Sequence, residues 1–271
     1  MNLNEIENQR GAMHIELSSS KFELDELIGV ICRTSIDFYN MLPESINFLL
    51  ERRSPYCELS QMFHSMQPSY AAPAYHYNAY IDALIRDVFW DDKKFDIPQE
   101  LWMSNVQRRV SFQIEAQALL LSLKMALDRM VTIFSYYYPG FSRDTTFGRI
   151  KENGKTQGFM STVVNLANKD ELMAFIEEQY QAWIKQAASP RDIITHYNDL
   201  SLSFHWDSES STEIPLHIEE KTMRKPDPVR NAQPIFHYAN LKKLTCNWYS
   251  FFDRVVADLK SKIPIRLATP L

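Results

Sequence analysis

The chain has 271 residues, of which 45% are hydrophobic and 23% charged, with a formal charge of −5 at pH 7. That balance excludes a disordered or membrane-embedded chain and suits one large domain or two small ones with a substantial core. The acidic sign means that nucleic-acid binding would have to rest on a local basic patch, since the field of the whole molecule opposes it.

Scarce glycine, 6 residues in all, leaves little material for phosphate-cradling loops. Gly154 and Gly158 bracket Lys155 and Thr156 in an order unlike that of a P-loop, with no apolar strand before it, and read as an ordinary loop. Cys32, Cys57 and Cys246 are isolated and odd in number, which excludes a disulfide framework and a structural zinc site. The opening MNLNEIENQRGAMH lacks the basic-then-apolar order of a signal peptide, and no apolar run approaches a bilayer span. A reducing cytoplasm, with no membrane partner, is the expected setting.

Ser20-Lys21-Phe22-Glu23 has the form of a capping box. Leu24, Leu27, Ile28, Ile31, Phe38 and Tyr39 then recur at helical spacing, predicting a first helix from about 20 to 41. Pro43 resets the chain, and Ile46, Leu49 and Leu50 suggest a short helix ending near Arg53. Residues 54 to 75 mix Ser, Pro, Tyr and Met without a period and read as an irregular connection. Tyr77, Tyr80, Ile81, Leu84, Ile85 and Val88 restore the period, and the charged Asp91 to Lys94 run stops it. From Pro98 to about Tyr138 neither Gly nor Pro intervenes, predicting a long central helix, broken near Ser104 and ended by Pro139-Gly140.

After a polar loop, Asn168, ahead of Asp170 and Glu171, suits a cap. Leu172, Phe175, Ile176, Tyr180, Trp183 and Ile184 give an amphipathic helix that leads to Ser189-Pro190. Two alternating runs, Leu200 to Trp206 and Ile214 to Ile218, read as a β-hairpin with a longer loop. A final helix is expected from Pro234, carrying Leu244, Trp248, Phe251, Phe252, Val255 and Leu259. The fold class is therefore mainly α, a helical bundle with one appended β-hairpin. No repeat, low-complexity tract or long linker forces a cut. The expected organisation is an N-terminal helical extension, residues 1–97, packed on a bundle of residues 98–271 as one unit.

Chemistry concentrates at Arg191-Asp192-Ile193-Ile194-Thr195-His196. Ser189 suits an N-cap, Pro190 the first helical position and Asp192 the third, where a carboxylate can return to the cap. A five-residue step turns an ideal helix by roughly 140°, so Arg191 and His196 share a broad face. The helix start adds free backbone N–H groups for an anion.

Arg, a polar residue, three more residues and then His resembles the R-x4-H motif of HEPN domains, over at most residues 105 to 262. The resemblance implies a helical bundle, commonly dimeric, and a metal-independent endoribonuclease of toxin–antitoxin or antiviral-defence type. Such an enzyme needs no cofactor and leaves a 2′,3′-cyclic phosphate. Arg191, Asp192 and His196 would be catalytic, with Tyr197, Asn198, Lys221, Arg224 and Lys225 as weaker substrate contacts. RNA, a second copy of the chain and an antitoxin or regulatory protein are the implied partners. Two departures stand out: a hairpin intervenes before the last long helix, and Asn198 occupies the place where toxins modified on tyrosine carry that residue. The bland reading of these residues is that Arg191 pairs with a nearby carboxylate such as Glu177 or Asp192 and His196 is a capping or core residue; the alternatives in function are a non-catalytic HEPN-like interaction module binding a protein or nucleic-acid partner, or a chain outside that family.

Three further features carry functional and bland readings side by side. Lys221, Arg224, Lys225, Arg230, Lys242 and Lys243 against Asp227 give a local charge of +5, a guide for RNA or a solvated face. His205 and His217 occupy the polar positions of the hairpin, where they would face each other as a metal pair or as exposed paired histidines, yet no carboxylate or thiolate completes a metal site at a recognisable spacing. Tyr70, Tyr75, Tyr77 and Tyr80, like Tyr136 to Tyr138, offer either stacking faces for bases or packing.

Overall fold

The computed structural model describes residues 14–42, 54–86, 110–139, 145–151, 153–185, 187–188, 201–204, 215–219 and 236–264. In chain order these form α1 (Leu24–Asn40), α2 (Pro55–Ser65), α3 (Gln67–Leu84) and α4 (Val110–Phe134). There follow β1 (Arg149–Ile150), β2 (Thr156–Gln157), α5 (Phe159–Leu166) and α6 (Glu171–Gln179), which continues as a π-helical turn over Tyr180–Ile184. β3 (Ser201–Phe204), β4 (Pro215–Glu219), β5 (Phe236–His237) and α7 (Tyr238–Lys260) complete the order. The described residues are thus mainly helical, as the periodicity predicts. Among them no helix is long and apolar enough to cross a membrane.

The chain divides into two compact units. The first comprises Met1–Phe22, Pro73–Leu121 and Ala188–Cys246, the second Glu23–Ala72, Ser122–Ala187 and Asn247–Leu271. The expected boundary at residues 97 and 98 lies outside the described residues, as does the short helix expected between Pro43 and Arg53.

In the first unit, Ser20 does not open a helix through a capping box. It closes a helical turn over residues 14–19: its hydroxyl donates to the Leu17 carbonyl at 2.7 Å and hydrogen-bonds the Tyr77 hydroxyl at 3.1 Å. Asn78 clamps the next residue, accepting from the Phe22 N–H at 2.8 Å and donating to the Phe22 carbonyl at 2.9 Å. The Phe22 ring meets Tyr77 edge-on, and Lys21 pairs with Asp82. The backbone polar groups of this entry segment therefore find side-chain partners where no helix supplies them.

The sheet of this unit is antiparallel in the order β3-β4-β5. Its register pairs Leu202 with Ile218 and Phe204 with Leu216, the apolar positions of the two alternating runs, so the expected hairpin forms. A third strand, pairing Leu216 with Phe236, precedes α7. The last helix accordingly starts at Tyr238, four residues after the expected Pro234.

The second unit corrects the reading of residues 54 to 75 as irregular. Ser54 caps α2 by accepting the Tyr56 N–H at 3.3 Å, and Pro55 takes the first helical position, where its missing N–H costs nothing. α3 starts at Gln67, ten residues before the expected Tyr77, and runs through Pro73. Pro73 lacks the N–H that would reach the Ser69 carbonyl, and burial of one helix face compensates for that loss. Phe63 stacks on Phe38 at 4.7 Å and meets Phe252 at 6.1 Å, while Tyr70 lies 4.6 Å from Phe252. Trp248 Nε1 and the Tyr249 hydroxyl both donate to the Tyr70 carbonyl at 3.2 Å.

The polar loop expected between Pro139 and Asn168 contains β1, β2 and α5. Phe159 opens α5 and stacks 4.7 Å from Phe134, with Phe147 at 5.9 Å. The cap of α6 is Asp170, which accepts the Met173 N–H at 3.1 Å, and not Asn168. α1 has no side-chain cap; Asp25 and Glu26 in its first turn complement the helix dipole instead.

Candidate functional site

Arg191, Asp192, His196, Tyr197 and Asn198 lie outside the described residues, as do Lys221, Arg224, Lys225, Arg230 and His205. What is described is the frame on either side. The π-helical turn Tyr180–Ile184 ends α6, helical backbone recurs at residues 187–188, and β3 begins at Ser201. The π turn is held from within: the Tyr180 hydroxyl accepts the Ile150 N–H at 2.9 Å, and Trp183 Nε1 donates to Gln179 at 3.0 Å. Turns of this kind recur beside functional sites because they re-aim the following residues.

The other candidates resolve toward packing. Tyr70, Tyr77, Tyr80, Tyr136, Tyr137 and Tyr138 are buried, and of these tyrosines only Tyr75, 58% exposed, offers a stacking face. The hydroxyls of Tyr80 and Tyr137 are buried without a hydrogen-bond partner, and burial raises the pKa of both phenols. His217 stands opposite Ser203 in the register, and no group of three His, Cys, Asp or Glu among the described residues is placed to hold a metal. No disulfide joins Cys32, Cys57 and Cys246 to one another. Lys242 and Lys243 sit near the start of α7. The charge on Lys242 partly offsets the burial that raises the Cys246 thiol.

The Gly154 to Gly158 segment, read from the sequence as an ordinary loop, is the turn and second strand of a tight hairpin. Gly154 and Gly158 have φ values of 76° and 62°. The first N–H groups of α5 are already spent, Phe159 N–H on the Thr146 carbonyl at 2.9 Å and Met160 N–H on the Phe147 carbonyl at 3.1 Å. No anion-binding helix start remains there.

Two polar clusters carry no sequence motif. In the first unit, His76 Nδ1 lies 2.8 Å from Glu115 Oε2, each side chain 28% exposed, with the Tyr75 ring edge-on to the imidazole. In the second unit, Asp170 Oδ2 accepts from Lys262 Nζ at 2.7 Å and from the Tyr138 hydroxyl at 3.0 Å, while its Oδ1 caps α6. Lys262 also lies over the Tyr138 ring, 4.9 Å from its centroid. Burial works to raise the Asp170 carboxyl, but the hydrogen bonds from Lys262, Met173 and Tyr138 outweigh it and hold the pKa below the usual value. Burial and then the adjacent Asp170 charge push the Tyr138 phenol well above its usual range. A group that resists ionisation so strongly serves as a hydrogen-bond donor, and this cluster is a staple for the ends of α4, α6 and α7. His76 with Glu115 spans 39 residues, and Lys262 with Asp170 spans 92, so no local pattern could have revealed either.

Compared with known proteins, the chain matches no family model, no curated protein and no solved structure.

Proposed function

We propose that this chain is a metal-independent endoribonuclease of toxin or antiviral-defence type, acting on single-stranded or looped RNA through Arg191, Asp192 and His196. The observation that carries the reading is the Arg191-x4-His196 pattern, set between a helical run and a sheet in a mainly helical chain. His196, with a reference pKa of about 6.5, takes the proton from the RNA 2′-hydroxyl near neutral pH. The 2′-oxygen then attacks phosphorus, the bond to the 5′-oxygen breaks as a second, protonated His196 from another copy gives that oxygen its proton, and a 2′,3′-cyclic phosphate and a 5′-hydroxyl remain. Arg191 stabilises charge on the phosphate oxygens, with Asp192 assigned to the cap of the helix that Ser189-Pro190 is expected to start. One imidazole cannot serve as acid and base in the same step, so a homodimer that brings two copies of His196 together fits the chemistry.

The test is incubation of the purified protein with mixed RNA and DNA pools in EDTA, followed by end-group analysis. RNA cut to cyclic phosphate ends with DNA left intact is the expected result; intact RNA removes the catalytic reading. A non-catalytic interaction module is the second reading.

A further inference from the structure

On one face of the β1–β2 hairpin in the second unit, the charged side chains among the described residues are all positive. Its register pairs Arg149 with Gln157 and Ile150 with Thr156, and the Lys151 N–H donates to the Lys155 carbonyl at 2.8 Å, extending the ladder by one pair. Alternation along each strand then puts Arg149, Lys151, Lys155 and Gln157 on one face, all exposed, and half-buried Ile150 and Thr156 on the other. Arg149 Nε donates across the ladder to Gln157 at 3.2 Å. Lys151 and Lys155 face each other directly, and no described carboxylate pairs with either. Like charges at opposed positions destabilise a hairpin.

The fold nevertheless fixes this pair in place. Asp128 accepts the Phe147 N–H at 2.7 Å at the base of the hairpin, and Tyr180 accepts the Ile150 N–H at 2.9 Å on its inner side. Gly148, at φ 76°, passes so close to the opposite strand that a Cβ there would lie 1.8 Å from the Gln157 carbonyl oxygen. A well-anchored stalk that ends in two facing ammonium groups, which no described carboxylate pairs, gains from an anion that bridges them.

We infer that the Arg149, Lys151 and Lys155 face binds the phosphate backbone of RNA; the choice of RNA among polyanions rests on the ribonuclease reading. The test measures anisotropy of a labelled, mixed-sequence single-stranded 2′-O-methyl RNA, which lacks the hydroxyl needed for cleavage, against salt concentration. The arms are the wild type, Lys151→Glu/Lys155→Glu, and the charge-matched control Lys169→Glu/Lys185→Glu on exposed lysines elsewhere. Two lost phosphate contacts should flatten the logarithmic salt dependence by about 1.4, at about 0.7 per contact for a single strand, and the control should keep the wild-type slope. Lys151→Gln/Lys155→Gln should weaken binding likewise without lowering the melting temperature, which separates lost contacts from lost folding. Absent wild-type binding, an unchanged slope in the hairpin variants, or equal weakening by the control overturns the inference. Cleavage of ordinary RNA is scored separately. Hairpin-dependent binding without cleavage sinks the ribonuclease reading alone, and cleavage with hairpin-independent binding sinks this inference alone.

Discussion

Replacing Asp170 by Ala removes three interactions at once, and their sum can be estimated. Loss of the α6 cap costs about 1 kcal/mol. The Lys262 ion pair, with side chains 32% and 22% exposed, is discounted for solvent to about 1 kcal/mol. The Tyr138 hydroxyl, left half-satisfied in a buried position, adds about 1 kcal/mol. Asp170→Ala should therefore lose about 3 kcal/mol at pH 7, read from urea denaturation followed by tryptophan fluorescence. The pH dependence has a definite sign. The Asp170 pKa is lower in the folded state than its unfolded value of about 3.9, so its ionic contribution is complete above that value. It is lost as pH falls through the lower folded pKa, and the gap between wild type and variant should narrow in that acid range. A loss under about 0.5 kcal/mol at pH 7, or a gap that widens in acid, would refute the assignment of the staple.

Three tyrosine hydroxyls make a second test. Tyr180→Phe should cost about 1–2 kcal/mol, because the Ile150 N–H loses its acceptor. Tyr80→Phe and Tyr137→Phe should be neutral or slightly stabilising, since each removes a buried hydroxyl without a partner; thermal melts showing the reverse order would contradict this. Gly148→Ala should destabilise by about 2 kcal/mol or more, through strain at positive φ and collision with the Gln157 carbonyl. Gly154→Ala, also at φ 76° but with open space around its Cβ position, should cost only about 1 kcal/mol.

The long helices were legible because their apolar residues are aliphatic or aromatic without ambiguity, as in Leu172, Ile176 and Trp183 of α6 and its π turn. The hairpin was legible because Leu202, Phe204, Leu216 and Ile218 alternate at the strand period. α2 and α3 were not, although Ser54-Pro55 is a strong helix start. The buried face of α2 uses Cys57, Leu59 and Phe63, too few residues to show a period, and the first turns of α3 use Tyr70 and Ala74, which read as surface or neutral, while Pro68 and Pro73 suggest breaks. The stretch from Phe159 to Leu166 escaped because eight residues give barely two turns of period and its cap is Gly158, which offers no side-chain signal. At the candidate site, Arg191 and His196 were singled out because both belong to one short local pattern. The His76–Glu115 pair and the Asp170 staple join helices far apart in the chain, and the cationic face of the β1–β2 hairpin needed the register that pairs Lys151 with Lys155.

The most direct measurement compares wild type, Arg191→Ala and His196→Ala on one labelled single-stranded RNA in EDTA, with each variant's helical content and melting temperature matched to the wild type. The proposed chemistry predicts cleavage by the wild type and a loss of at least about 100-fold in each variant, the scale of a positioned acid–base or charge-stabilising group. Equal cutting by wild type and folded variants, or no cutting by any of them, would contradict it.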